Sequence, residues 1–215
     1  MNMNINFRSL IVAGLTCISV SSGYSQDILL PAPQTTGGMP LMEALSKRQT
    51  SREFSETKLS DQVIANLLWS GWGYNRPEQK KRTAPSSMNK QEMDIYVTMQ
   101  SGLYLFNAEK NILEQIHNED IRAKTGKQDF VSKAPVTLVF VADYKRMSDG
   151  TDHQKEVTSN TNAAFISQNV SLFCASENLA TGVRASIDKE ELHKAMHLRP
   201  DQHITLAQSV GQFNK

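Results

Sequence analysis

Apolar residues recur at helical spacing in several stretches of the chain and alternate or run unbroken in others. Leu41, Met42, Ala44 and Leu45 predict a short helix ending near Arg48. Ser60 is placed to cap a second helix through Trp69, with Val63, Ile64, Leu67 and Leu68 on one face and Gly71 and Gly73 as its stop. Residues 94–99 and 103–106 read as two strands around Ser101 and Gly102, a hairpin. A polar helical stretch is expected over residues 118–127. Residues 135–143 form the strongest strand, β-branched and apolar on both faces, and so central. Residues 161–179 predict the longest helix, with Ala163, Ala164, Ile166, Val170, Phe173 and Cys174 inward and Gly182 as its left-handed end. Residues 183–187 follow as a short strand, Asp188 caps a helix to about His197, and residues 204–210 form a last strand. Residues 26–40, rich in Pro and Gly, read as an extended arm, and residues 74–84 as a loop. Strands and helices mix without strict alternation, which predicts an α+β fold rather than a doubly wound sheet.

The 215 residues suit one domain, and 39% hydrophobic residues suffice for a core. With 23 basic and 22 acidic residues, nothing in the charge suggests a nucleic-acid or anionic-membrane partner. The N-terminus stands apart. Arg8 precedes an apolar run over residues 10–20, then small residues reach Gly23-Tyr24-Ser25, the layout of a secretory signal peptide. The expected organisation is a signal over residues 1–25, the arm over 26–40 and one domain over 41–215, in an exported, periplasmic protein. Cys17 would leave with the signal. The residues before it, Leu15 and Thr16, fit a lipid-attachment motif poorly. Cys174 would remain alone, a small core residue without a disulfide partner. No second apolar run is long enough for membrane insertion.

Two segments place polar groups where a core or plain turn does not need them. In the first, Arg48, Thr50 and Arg52 alternate around Gln49 and Ser51, so an extended backbone points all three to one side. Two guanidinium groups around a hydroxyl suit a phosphate and an electron-rich ring edge. Taken by composition alone, a solvated basic helix end is the simpler reading. The second segment, Pro85-Ser86-Ser87-Met88-Asn89-Lys90-Gln91 after Arg82-Thr83-Ala84, can read the donor and acceptor edge of a heterocycle, or be an ordinary turn.

Together these segments resemble the FMN-dependent nitroreductase family. The family's Arg-x-Ser-x-Arg/Lys-x-Phe is matched by Arg48-x-Thr50-x-Arg52-x-Phe54, and its Pro-Ser-x-x-Asn-x-Gln by residues 85–91. Ala134-Pro135, Gln168-Asn169, Leu179-x-x-Gly182-Val183 and Val210-Gly211 follow in the same order. Residues Leu68-Trp69-x-x-Trp72-Gly73-Tyr74-Asn75-Arg76, the Arg82–Ser86 run and Gly102-Leu103-Tyr104 are similar to the branch containing azoline (thiazole/oxazole) dehydrogenases. The sequence departs from that branch at Ser87-Met88-Asn89.

The resemblance implies a mostly antiparallel sheet flanked by helices, and a homodimer with FMN at the subunit interface. Arg48, Gln49, Thr50 and Arg52 would hold the phosphate, ribityl chain and N1/O2 edge. Pro85, Ser86, Ser87 and Asn89 would reach over from the second copy. Arg184, Ala185 and Ser186 would lie at flavin N5 and O4, the latter two through backbone N–H groups. A phosphate contact from the C-terminal Lys215 is left open. No protein acid, base or nucleophile is required, since the flavin carries the chemistry, and NAD(P)H is the family's electron donor. The five histidines show no metal spacing. Three readings remain at this level: reduction of a small nitro, quinone or similar conjugated compound, azoline-type dehydrogenation, and an exported binding protein that turns nothing over.

Overall fold

A computed structural model describes residues 26–214 together with Met1. The signal-peptide segment and Lys215 lie outside the described residues, Met1 excepted.

The strands, in chain order, are β1 (Ile28–Leu29), β2 (Tyr74–Arg76), β3 (Lys81–Arg82), β4 (Met93–Met99) and β5 (Gly102–Asn107). They continue with β6 (Ile112–His117), β7 (Val136–Asp143), β8 (Leu179–Arg184) and β9 (Gln202–Gln212). The helices are α1 (Leu41–Lys47), α2 (Asp61–Trp72), α3 (Asp152–Ser176) and α4 (Lys189–Ala195). Seven strands form one sheet in the order β1-β6-β5-β4-β7-β9-β8, each neighbouring pair antiparallel. The fold is α+β, as the pattern predicts.

β7 shows why its sequence is apolar throughout. Leu138 and Phe140 enter a core with Leu67 and Leu68 of α2 and Ile166 and Val170 of α3. Val139 and Val141 enter a second core with Leu192, Met196 and Ile204 on the opposite face. Both faces are thus covered, and alternation in polarity disappears. Gly71, expected to stop α2, lies inside it. A Cβ there would stand 2.9 Å from Val170 Cγ2, so glycine lets α2 and α3 pack closely. Gly73 is the stop.

Helix α3 begins well before the expected start, because a Thr151–Gln154 capping box sets its N-terminus ahead of a polar first half. Ala164 faces solvent rather than the core. The left-handed residue after the helix is Asn178 (φ 54°), not Gly182, which lies within β8. Cys174 is fully buried, and burial pushes its thiol up to about 12.

The helix expected over residues 118–127 is instead one short 3₁₀ turn, Arg122–Thr125, followed beyond that range by a second at Asp129–Ser132. Arg122 bends back to Asp120 and to the Ala134 carbonyl, bonds that compete with a helical course. Strand β6 was not anticipated; its half-buried residues alternate only weakly. The expected loop over 74–84 contains the β2–β3 ribbon. The arm packs on its own chain: β1 pairs with β6, and Asn111 Nδ2 donates to the Leu30 and Pro31 carbonyls.

Candidate functional site

The 48–52 strip follows α1 directly. The Arg48 N–H ends that helix on the Ala44 carbonyl at 2.9 Å, and the chain then turns along β8, the last strand of the sheet. Two contacts fix its course. The Ser51 N–H donates to the Thr181 carbonyl at 2.8 Å, and the Ser55 N–H donates to Gln212 O at 2.9 Å. Between them Phe54 is buried against Ala134 and Ala180, with the Phe130 ring 5.9 Å away. Gly182 makes room for this crossing. A Cβ at that position would sit 2.7 Å from the Ser51 carbonyl oxygen.

The backbone of the strip is therefore anchored while its side chains are not. Arg48, Gln49, Thr50 and Arg52 are all exposed. Among the described residues neither Arg48 nor Arg52 forms an ion pair. Elsewhere on this chain, Arg122, Arg146 and Arg199 each pair with aspartate. Where β8 ends, Ala185 and Ser186 are exposed too. Their carbonyls accept from the Ile187 and Lys127 N–H groups, but among the described residues their own N–H groups donate to no turn or loop carbonyl. The strip and these amides share one sheet edge. The donor set there is cationic and N–H, with no carboxylate paired to it, and it fits a ligand carrying a phosphate and a ring with acceptor atoms.

Arg184 differs from the expectation of an edge contact. Its side chain turns inward and is 7% exposed, donating to Thr125 and Ser209. Only its backbone stays at the edge. Sequence reasoning missed this because strand parity alone could not say which face of β8 was covered.

The second segment sits elsewhere on the chain. Pro85, Ser87 and Asn89 are exposed and Ser86 half-buried. Met88, Asn89 and Gln91 all have left-handed backbones (φ 53°, 54° and 48°). Left-handed residues other than glycine cost about 1–2 kcal/mol each, so the surroundings must hold them. Gln91 does much of this. Its N–H donates to Ser86 Oγ at 3.0 Å, and its Nε2 donates to the Lys80 carbonyl at 2.6 Å and to Asn89 Oδ1 at 3.2 Å. Arg82 in turn holds Gln91. Its guanidinium lies between the Trp72 and Tyr74 rings, 4.7 and 4.2 Å from their centroids. It donates to Gln91 Oε1, the Trp72 carbonyl and the Tyr74 hydroxyl at 2.7, 2.7 and 3.0 Å. Burial lowers its pKa, an effect that Tyr74 and Asp94 partly offset. Helix α3 adds two anchors: Asn169 Nδ2 to the Thr83 carbonyl and Asn162 Nδ2 to the buried Glu92 Oε1. The aromatic-aromatic-Arg spacing of Trp72, Tyr74 and Arg82 was the available signal for this clamp.

The strip and the turn share no hydrogen bond, ion pair or cavity lining among the described residues. The turn borders a cavity of about 530 Å³ at the N-terminal end of α3, whereas the strip lies at the β8 edge. The two segments thus occupy separate places on the chain.

An antiparallel seven-stranded sheet with helices on both faces and a donor-rich last edge defines an α+β protein, and the ordered 48–54 and 85–91 motifs resemble the nitroreductase family. Comparison with known sequences agrees. The profile described as the nitroreductase family matches residues 45–212, and the chain belongs to that family, one of flavin oxidoreductases. A Methanocaldococcus jannaschii protein assigned as a nitroreductase is 25% identical over 200 residues, covering 88% of this chain and 98% of that one. A solved structure from Ralstonia eutropha JMP134, also assigned as a nitroreductase, is 36% identical with a TM-score of 0.85, covering 95% of this chain and 97% of the other. Two more distant structures share the fold. A Desulfovibrio desulfuricans nitroreductase in complex with FMN is 20% identical (TM-score 0.61; coverage 83% and 89%). The Escherichia coli microcin synthetase McbBCD complex with truncated pro-MccB17 bound is 15% identical (TM-score 0.67; coverage 97% and 85%).

Proposed function

We propose that two copies of this chain hold FMN in slots between them, and that the protein is an exported oxidoreductase of small conjugated compounds such as nitroaromatics and quinones. The observation carrying this reading is a pair of separate segments: an anchored cationic strip without ion pairs on one edge, and a clamped Ser-Asn turn that shares no hydrogen bond or ion pair with it among the described residues. Neither encloses a ligand alone. A second copy would bring the turn of one subunit to the strip of the other. Exposed apolar side chains support such pairing, among them Val157 and Phe165 on α3, Leu41 and Met42 on α1, and Met88 on the turn itself.

In this reading Arg48 and Thr50 hold the phosphate and ribityl chain. Arg52 sets a cation at the N1/O2 edge, and Ala185 and Ser186 donate their N–H groups to N5 and O4. Pro85, Ser86, Ser87 and Asn89 cover the ring from the second subunit and exclude water. When bound, FMN supplies two-electron transfer in alternating half-reactions, with reduced nicotinamide as the donor and the conjugated compound as acceptor. The test is the absorption spectrum of the purified protein before and after anaerobic NADH or NADPH. A yellow protein that bleaches and recovers with a quinone or nitroaromatic supports the reading; a colourless protein that takes up no added FMN overturns it.

Fold similarity to the McbBCD complex favours a second reading, azoline-type dehydrogenation with electrons passed to oxygen. Bleaching by a thiazoline or oxazoline, and not by reduced nicotinamide, would select it. Export is proposed from Arg8 and the apolar run that follows. It predicts that protein recovered from its host begins near Gln26.

A further inference from the structure

Arg184 stands between the two parts of the edge already described. On β8 it shares a face with Gly182, over which the strip crosses, and it immediately precedes the exposed Ala185 and Ser186 amides. Its guanidinium donates through Nε to the Thr125 carbonyl at 2.9 Å, through Nη1 to Ser209 Oγ at 2.9 Å and through Nη2 to Thr125 Oγ1 at 2.6 Å. The Phe130 ring centroid lies 5.9 Å from Cζ. Gly126 closes the chamber, since a Cβ there would stand 2.5 Å from Nε.

Every one of these partners is neutral. Among the described residues no carboxylate pairs with Arg184. Desolvation pulls its pKa down to about 10, and no neighbouring charge offsets that effect. Taking a charge out of water costs several kcal/mol even after relaxation, and a well-packed apolar side chain would fill the space more cheaply. The three neutral acceptors satisfy the Arg184 donors but leave its charge uncompensated, so an anion bound nearby would gain from it. Its field is little screened, because protein and not water surrounds it. Arg48 and Arg52 on the same edge likewise form no ion pair among the described residues.

We infer that Arg184 is a buried counter-charge for the cofactor: it favours reduced, negatively charged flavin without touching it, and holds the Ala185–Ser186 amides in place. The inference rests on the FMN reading above. Uptake of a hydride from the reduced nicotinamide, two electrons and one proton, leaves the isoalloxazine with one more negative charge. A fixed cation behind the N5 and O4 donors stabilises that product more than the oxidised form.

The test is the two-electron midpoint potential of the FMN-loaded protein for wild type, Arg184→Gln and Arg184→Lys. The Gln variant keeps a donor and loses the charge. It should bind reduced FMN at least tenfold less tightly relative to oxidised FMN, a drop of about 30 mV for a two-electron couple. The Lys variant should stay near wild type. A Gln variant with the wild-type potential overturns the inference. So do Gln and Lys variants that fall equally, which would assign the effect to the guanidinium's fork rather than its charge. Should the Gln variant not fold, the Lys variant decides alone: wild-type potential supports the inference and a lowered one overturns it. Wild-type protein that takes up no FMN fails the underlying reading before Arg184 is altered, so the two failures are distinct.

Discussion

The strip at residues 48–52 and the turn at 85–91 are held in opposite ways. Along the strip, main-chain bonds to Thr181 and Gln212 fix the path, and the arginine side chains are left without partners among the described residues. In the turn, side chains do the fixing. Arg82 and Gln91 hold three left-handed residues in a shape the backbone alone would not choose. The contrast shows two ways of preparing a surface for a ligand. One offers uncommitted charge on a rigid edge, and the other offers a preset contour whose polar groups are mostly spent. The first should govern affinity for an anion. The second should govern fit and the order of the site.

The sharpest way to break the comparison is to remove the strip's charge. Arg48→Ala with Arg52→Ala should raise the FMN dissociation constant at least ~100-fold, since hydrogen bonds to charged groups are worth about 1.5–3 kcal/mol each. Circular dichroism should stay unchanged, because neither side chain supports the fold. Flavin fluorescence titration reads the result; unaltered affinity would mean that the exposed cations are only a solvated helix end.

For the turn the expected signature is reversed. Arg82→Ala leaves the Trp72 carbonyl, the Tyr74 hydroxyl and Gln91 without their donor and opens the space between two rings. Unfolding free energy should fall by about 2–4 kcal/mol, measured by urea denaturation. Arg82→Lys should recover little of it, since one ammonium cannot serve three diverging acceptors between two aromatic faces. If the double strip variant lost stability and the Arg82 variant lost only FMN affinity, the comparison would be inverted.

Gly182 tests the rigidity of the edge itself. Alanine there must displace the Ser51 carbonyl, a backbone atom that cannot rotate away. Overpacking of this kind costs about 1–3 kcal/mol. FMN affinity should fall along with stability, because the strip moves with the carbonyl. A Gly182→Ala protein with wild-type Tm would show that the strip is not seated on β8.

How much of this was legible beforehand follows from the range of the interactions. The α2 cap at Ser60, the central β7 and the 94–106 hairpin are set by local pattern and came out as read. The order of 48–52 and 85–91 motifs gave the family. What escaped was decided by partners distant in sequence. Gly182 looks like a helix end until Ser51 is seen to cross it. The inward face of Arg184 depends on Thr125 and Ser209, and the β6 strand depends on its neighbours rather than on its own half-polar sequence. The Arg82 clamp is spelled by Trp72, Tyr74 and Gln91, but their meeting needs the β2–β3 ribbon that residues 74–84 did not advertise.

The smallest effect reports on whether the strip's edge is as rigid as the comparison requires. Cys174 lies on α3, fully buried and facing Thr181, the residue whose carbonyl anchors Ser51. Only a thiolate reacts readily with alkylating reagents. Burial raises this thiol from 9.0 to about 12, so at neutral pH the folded protein should react only when the edge opens. In a Cys17→Ser background, alkylation should be at least ~100-fold slower than in denaturant, the opening free energy at that ratio being about 3 kcal/mol. Bound FMN should slow it further by tying the strip to β8. The sign of the pH effect follows from the same shift. Between pH 9 and about 12 the unfolded chain gives up the thiol proton while the folded chain keeps it, so stability present below pH 9 is lost as pH rises through that window. Replacing Cys174 by Ala should remove this share of the alkaline decline. Rapid alkylation of native protein, unaffected by FMN, would instead describe an edge that opens freely, and the contrast between an anchored strip and a clamped turn would have to be redrawn.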